Sequence, residues 1–219
     1  ANFHYGNLEG SYEIDTLRLL TVAFGMYGSN SKNYGDGFTT MYGANHEDIA
    51  YSYRTGNHGD GSWYSINGNI DYQRTSRKNK QRMITFSYKI NTQPQTSNSN
   101  TGYEDIHAKE EVDDLVKRLL LKNSQSDGKT NTMEQTFQVD YTTPIGELHT
   151  VEAGAKYIFR RNTSDNKLYE AAGGSDDYLY NEDRSSDYRH LNHILAAYLG
   201  YTLKYKDFTF KPGVRYEQT

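Results

Sequence analysis

Residues 64–74 read Tyr64-Ser65-Ile66-Asn67-Gly68-Asn69-Ile70-Asp71-Tyr72-Gln73-Arg74. The even positions carry Tyr64, Ile66, Gly68, Ile70 and Tyr72, and the odd ones Ser65, Asn67, Asn69, Asp71 and Gln73. Successive side chains of a β-strand point to opposite faces, so a period of two predicts a strand with one apolar and one polar side.

The pattern recurs on both sides of this stretch. Ile84, Phe86, Tyr88 and Ile90 are opposed by Met83, Thr85, Ser87 and Lys89; Phe137, Val139 and Tyr141 are opposed by Gln138 and Asp140. Val151, Ala153, Ala155, Tyr157 and Phe159 face away from Glu152, Lys156 and Arg160. Leu195, Ala197, Leu199, Tyr201 and Leu203 share a side, as do Phe208, Phe210, Val214 and Tyr216, opposite Thr209, Lys211, Arg215 and Glu217. Leu20, Val22, Phe24 and Met26 repeat the motif near the start, after a weaker strand over 3–14. Together these segments predict about eight strands.

The connections alternate in length. Residues 15–17, 77–80, 144–147 and 206–207 are short and polar, whereas 30–61, 92–131 and 162–189 are long. Compact soluble domains rarely carry connections beyond roughly 12 to 15 residues. Outer-membrane barrels join short periplasmic turns to long external loops as a rule. Within 30–61, Ile49, Tyr51 and Tyr53 alternate and predict an extension hairpin that turns through His58-Gly59-Asp60-Gly61. Within 104–122, Val112, Leu115, Val116, Leu119 and Leu120 fall at helical spacing, which predicts a short amphipathic helix, with a mobile charged loop as the alternative.

Composition agrees with a sheet that is wet on one side. Of 219 residues 21 are Tyr, 19 are Gly and only 35% are hydrophobic, with mean hydropathy −0.92. No apolar run is long enough for a membrane helix, which a strand-built span does not need. A net charge of −4 gives no reason to expect a nucleic-acid partner. Cysteine is absent, which rules out disulfides and thiolate metal sites.

The reading is therefore all-β, an antiparallel up-and-down transmembrane β-barrel in a single domain over 1–219, with the lipid bilayer as partner and the cell outer membrane as location. Tyr12, Tyr27, Tyr64, Tyr72, Tyr88, Tyr141, Tyr157, Tyr201, Tyr205 and Tyr216 are the expected interface aromatics, because a Tyr ring suits the headgroup zone while its hydroxyl stays wet. Asn67, Asn69, Asp71, Asp140, Glu152, Lys156, Lys211 and Arg215 are the expected lumen-facing side chains, against plug, solute or water. Pro212-Gly213 is expected to mark a bulge or an exposed edge, since proline withholds a ladder donor.

Four segments carry a family resemblance: residues 67–74, 136–144, 152–157 and 206–217. In these the chain resembles the barrel of TonB-dependent receptor-like outer-membrane proteins of the Bacteroides type. The resemblance implies a larger barrel closed by an N-terminal plug and importing a bulky nutrient, with TonB and a surface lipoprotein as partners of the full-length receptor. No plug or energy-coupling segment is recognisable in 1–219, so the chain is expected to be a middle section of such a receptor. A small structural or adhesive outer-membrane barrel and a soluble carbohydrate-binding β-domain are the alternatives.

Catalysis is not expected. There is no Gly-x-Ser-x-Gly elbow and no phosphate-binding Gly-rich loop, and no cofactor is implied. His190 and His193 lie three apart, which on a strand sends them to opposite faces and argues against a shared metal ion. The acidic run over 176–187 lacks the regular spacing of a calcium loop and reads as solvated.

Overall fold

A computed structural model describes residues 1–44, 47–110, 113–117 and 121–219. Its strands are β1 (Asn2–Asp15), β2 (Arg18–Tyr42), β3 (Ile49–Thr75), β4 (Met83–Ala108), β5 (Lys122–Ile145), β6 (His149–Ala172), β7 (Leu179–Tyr180), β8 (Ser186–Tyr205), β9 (Phe208–Phe210) and β10 (Gly213–Gln218). They form one antiparallel up-and-down sheet in the order β1-β2-β3-β4-β5-β6-β8-β10, with β7 beside β6 and β9 beside β8. β1 and β10 lie at opposite edges, and the sheet does not close on itself. Every substantial contact between strands joins hydrogen-bonded neighbours, so no second sheet is stacked on either face among the described residues.

Register carries the sequence alternation across the whole sheet. Val22 pairs with Ile70, Ile70 with Tyr88, Tyr88 with Phe137, Phe137 with Tyr157, and Tyr157 with Leu195. Thr21, Asp71, Ser87, Gln138, Lys156 and Ala196 lie on the other face by the same pairings. A one-residue slip between any two strands would mix these faces, so register and hydropathy specify each other.

Burial is inverted relative to a water-soluble sheet. Phe137 is 49% exposed and Leu195 55%, whereas Thr136 and Ala196, their chain neighbours on the polar face, are 6% and 1% exposed. Ser65, Ile158, Ile194 and Thr202, all on the polar face, are buried as well. The polar side is the crowded one and the apolar side stands open.

The long connections are largely strand. β3 runs for 27 residues and β4 for 26, well beyond the roughly 9 to 11 that cross a bilayer. The hairpin expected to turn at 58–61 is not formed: His58, Gly59, Asp60 and Gly61 pair with Tyr34, Asn33, Lys32 and Ser31 inside one continuous β3. Alternating polar residues satisfy ladder geometry as well as apolar ones do, and the pairing with β2 runs on from Gly61 to Ile49 with one register shift, between Met41 and Tyr42. Of the helix expected over 104–122, one turn α1 (Asp113–Leu115) is present, and Val112, Leu119 and Leu120 lie outside the described residues.

The short turns fall where expected, all at one end of the sheet. The bulge expected at Pro212-Gly213 is absent. Leu203 pairs with Phe210 and Gly200 with Gly213, so the register passes through Pro212 unshifted. The Tyr201 N–H donates to the Pro212 carbonyl at 3.0 Å, and the reciprocal bond is missing because proline has no N–H. The break between β9 and β10 is a lost donor on an edge strand, not an inserted residue.

Candidate functional site

The polar face gathers every side chain expected in the lumen. Asn67, Asn69 and Asp71 lie on β3, Asp140 on β5, Glu152 and Lys156 on β6, Arg215 on β10, and Lys211 between β9 and β10, and register puts all of them on one side. They do not form a single site. Asn69 Nδ2 donates to Asp71 Oδ2 at 2.6 Å, Gln138 Nε2 donates to Asp140 Oδ2 at 2.8 Å, and Lys211 Nζ lies 3.1 Å from Glu152 Oε2. Arg215 turns along its own strand to Glu217 at 2.6 Å. Each carboxylate is thus answered by an amide or a cation close by, as a half-buried charge requires.

Asn67, Asn69 and Lys156 do share a recess of about 390 Å3, completed by Lys89, Asn91, Glu134, Thr136 and Gln138. Arg160 Nε donates to Glu134 Oε2 at 2.5 Å at its margin. Lys89 and Lys156 make no ion pair among the described residues, so the recess offers two ammonium groups beside amides. The period-two pattern had already put Lys89 and Gln138 on this side; their convergence needed the register of β3 to β6.

Tyr198 is the residue the sequence reading missed. It pairs with Gly154, and a β-carbon on Gly154 would run into its ring and lie 2.8 Å from Asp140 Oδ1. The ring therefore lies across β6, and its hydroxyl accepts from Gln138 Nε2 at 3.4 Å. Glycine opposite an aromatic ring was the available signal, because a strand glycine often marks a close approach.

On the apolar face stand Tyr72, Tyr88, Tyr141, Tyr157, Tyr201 and Tyr216. Tyr157 Oη bonds His193 Nδ1 at 2.7 Å, Tyr201 Oη bonds His149 Nδ1 at 2.5 Å, and Tyr88 Oη donates to Gln135 at 3.3 Å. Tyr27 belongs to the polar face instead: it pairs with Ser65 and meets Trp63 edge-on with centroids 5.7 Å apart. Its odd position in β2 opposes it to Met26 and Phe24.

The apolar band has an upper limit that register makes visible. Along that face β3 passes from Tyr72, Ile70 and Ile66 to Ser62, Asp60 and His58, and its neighbour β4 passes from Phe86 and Tyr88 to Thr96 and Asn98. β5 and β6 change over likewise, to Lys129, Asp127, Asp165 and Lys167. Beyond the limit cross-strand polar pairs replace apolar ones, with Ser62 to Thr96 at 2.8 Å, Thr92 to Asn131 at 2.9 Å and Asn98 to Asp60 at 3.2 Å.

At the far tip the connections pack on themselves. Val116, Leu121 and Ala171 are buried, and the Gly173 N–H donates to the Lys117 carbonyl at 2.9 Å. Glu170 accepts from Asn181 Nδ2 and from Arg184 Nη1, each at 2.6 Å, with Lys122 Nζ at 3.8 Å. The Asn181 hydrogen bond first, then Lys122 and Arg184, hold its carboxyl below the usual range against the opposing cost of burial. His190 and His193 lie on opposite faces, and no group of three or more His, Asp or Glu among the described residues is placed to hold a metal ion.

A family model described as the outer membrane protein β-barrel family matches residues 74–219. Among solved structures, the ferric citrate transporter FecA in its unliganded form is similar at 13% identity and a TM-score of 0.29, over 96% of this chain and 37% of that one. This chain thus spans well under two thirds of that structure's length. No curated protein matches.

Proposed function

The chain belongs to the outer membrane protein β-barrel family, and from that membership we propose that it is a section of a receptor barrel for uptake of a nutrient, of the TonB-dependent type, seated in the outer membrane. The inverted burial carries the reading. An open apolar face flanked by Tyr suits hydrocarbon and headgroups, and a crowded polar face suits a hydrated interior. In lipid a bare strand edge would leave backbone groups unpaired, so β1 and β10 are paired in the working barrel, by each other or by further strands.

The recess around Lys89 and Lys156 then faces the interior, where a solute or a plug would meet it. Partners follow from the same reading: bilayer lipid on the apolar side, an unidentified nutrient within, and TonB with a surface lipoprotein acting through the full-length receptor. No catalytic role is proposed. The soluble-domain alternative fails on the exposed apolar band. The adhesive barrel stays as the second reading, because the strands continue so far past that band.

Conductance of the full-length protein in planar bilayers separates these readings. A plugged receptor is expected to show no steady conductance until denaturant loosens the plug. A permanently open channel, or a barrel that never opens, would overturn the receptor reading and leave a porin or a structural barrel.

A further inference from the structure

Beyond the apolar band, on that same face, the outer parts of β2 to β5 and the connection after β6 line a half-open cavity of about 500 Å3. This volume is in the range of small-molecule sites. Its floor is unusual for a strand. Gly56 pairs with Gly102, and Asp36 pairs with Gly56 on the other side. A β-carbon added at Gly102 would meet nothing within 4 Å, and one at Gly56 would meet only Asp36 Oδ1 at 3.8 Å. Neither glycine is there to make room for a packed neighbour, and neither has a left-handed backbone. Glycine costs a strand stability, and a bare pair of them suits close approach of a ligand to the backbone.

The walls define the ligand. Tyr34 and His58 stand side by side with ring centroids 4.6 Å apart. Tyr178 lines the cavity beside Asp176; burial first, then Asp176, push its hydroxyl pKa up against a hydrogen bond from Gln125, so the hydroxyl stays neutral. Asp36, Glu104, Asp176 and Asn100 supply acceptors, and no Lys or Arg lines the cavity. The wall is fixed: Asn123 Oδ1 accepts from the Tyr103 N–H at 2.8 Å, and its Nδ2 donates to the Ser175 carbonyl at 3.0 Å.

We infer that this cavity is a binding site for an uncharged saccharide, with a sugar ring laid on the glycine floor between Tyr34 and Tyr178. A pyranose has a flat C–H face for the aromatic rings and hydroxyl donors for the carboxylates and amides, whose charge-assisted bonds are the strong ones. The lining carboxylates outnumber the one adjoining cation, Arg54, the cross-strand partner of Glu104 that is turned to Asp105 at 3.9 Å, and so disfavour acidic ligands. The site faces away from the barrel interior, so it is distinct from any solute path and does not depend on the transport reading.

The test is calorimetric titration of the full-length protein in detergent micelles with maltose, lactose and diacetylchitobiose, and with sialyllactose as the acidic counterpart. At least one neutral sugar is expected to bind saturably, with sialyllactose about tenfold weaker or worse. Gly102→Val fills the empty floor with a residue that favours strands and should abolish binding while heat-shifted gel mobility is unchanged. Asp36→Asn, which leaves the packing alone, should weaken binding about tenfold, the loss of one charge-assisted bond. Absence of binding by all three neutral sugars, full binding by Gly102→Val, or displacement of the sugar by millimolar choline as the preferred ligand would each overturn the assignment.

Discussion

Glu170 illustrates how a single carboxylate organises the connection between β6 and β8. Its side chain is only 13% exposed and ties Asn181 and Arg184 to the end of β6. Arg184 is 65% exposed, so the Asn181 bond carries more of the effect than that ion pair. A carboxyl held below its ordinary range stabilises the fold above the unfolded-state pKa, and that contribution disappears as pH falls through the folded-state value. The connection over 173–185 should therefore be tight at neutral pH and loosen in acid below the usual carboxylate range. Hydrogen exchange at the Asn181 amide, which bonds the Leu168 carbonyl at 2.8 Å, reports it. Glu170→Gln should exchange about tenfold faster at pH 7, a loss of roughly 1.4 kcal/mol, and should flatten the pH dependence. Equal exchange in both proteins at every pH would show that the loop is held by other bonds. None of this was legible in sequence: Glu170 sits in a stretch without periodicity, and its partners come from eleven and more residues away.

Strands were legible where their two faces differ. From Ile66 to Tyr72, and again from Phe137 to Tyr141, apolar and polar residues alternate because the two faces meet different surroundings, and each such segment was readable in position and orientation. From Ser62 back to Thr55 in β3 and past Thr96 in β4 both faces are mostly polar, the period of two carries little hydropathy signal, and these ladders were read as loop; Ile49, Tyr51 and Tyr53 do alternate, but their strand was expected to turn back at 58–61 and instead runs on. The site was partly legible for the same reason. Register puts the lumen candidates together on one face, as the alternation implied, but the recess joining Asn67 to Lys156 spans four strands, and Tyr198 over Gly154 is a contact that only register creates. The face assignment has a direct test in adjacent residues. Ile70→Arg should cost about 2 to 4 kcal/mol of folding free energy in lipid vesicles, the range for a cation placed mid-bilayer. Asn69→Arg, one residue away on the polar side, exchanges the amide donor to Asp71 for a cationic one and stays in the polar recess, so it should cost at least about 1 kcal/mol less than Ile70→Arg. Equal costs at the two positions would refute the division into faces.

At the scale of the molecule the sheet is one layer thick, and its stability comes from ladder bonds and cross-strand pairs rather than a sandwiched core. Among the described residues the buried apolar side chains are Val116, Leu121 and Ala171 at the tip and Ile158, Ile194 and Ala196 on the polar face. In the barrel proposed above such a sheet would be completed into a closed ring, which removes the exposed edges at β1 and β10. The full-length protein is therefore expected to resist SDS at room temperature and to migrate faster unheated than boiled. A single mobility, whatever the heating, would count against a closed barrel.

The outer halves of β2 to β6 are continuous ladder and not slack loops. From Ser62 to Ile49 the third strand alone advances roughly 40 Å along its axis. With this end outward in the membrane seating proposed above, stiff walls of that height would act as a parapet: whatever approached from outside, whether antibody, phage tail or neighbouring surface, would touch the rim before it could reach lipid. Recognition there is set by a rigid outline that the cell cannot fold out of the way, so escape from an unwanted visitor would have to come by changing side chains on the rim, with the ladder beneath them left intact.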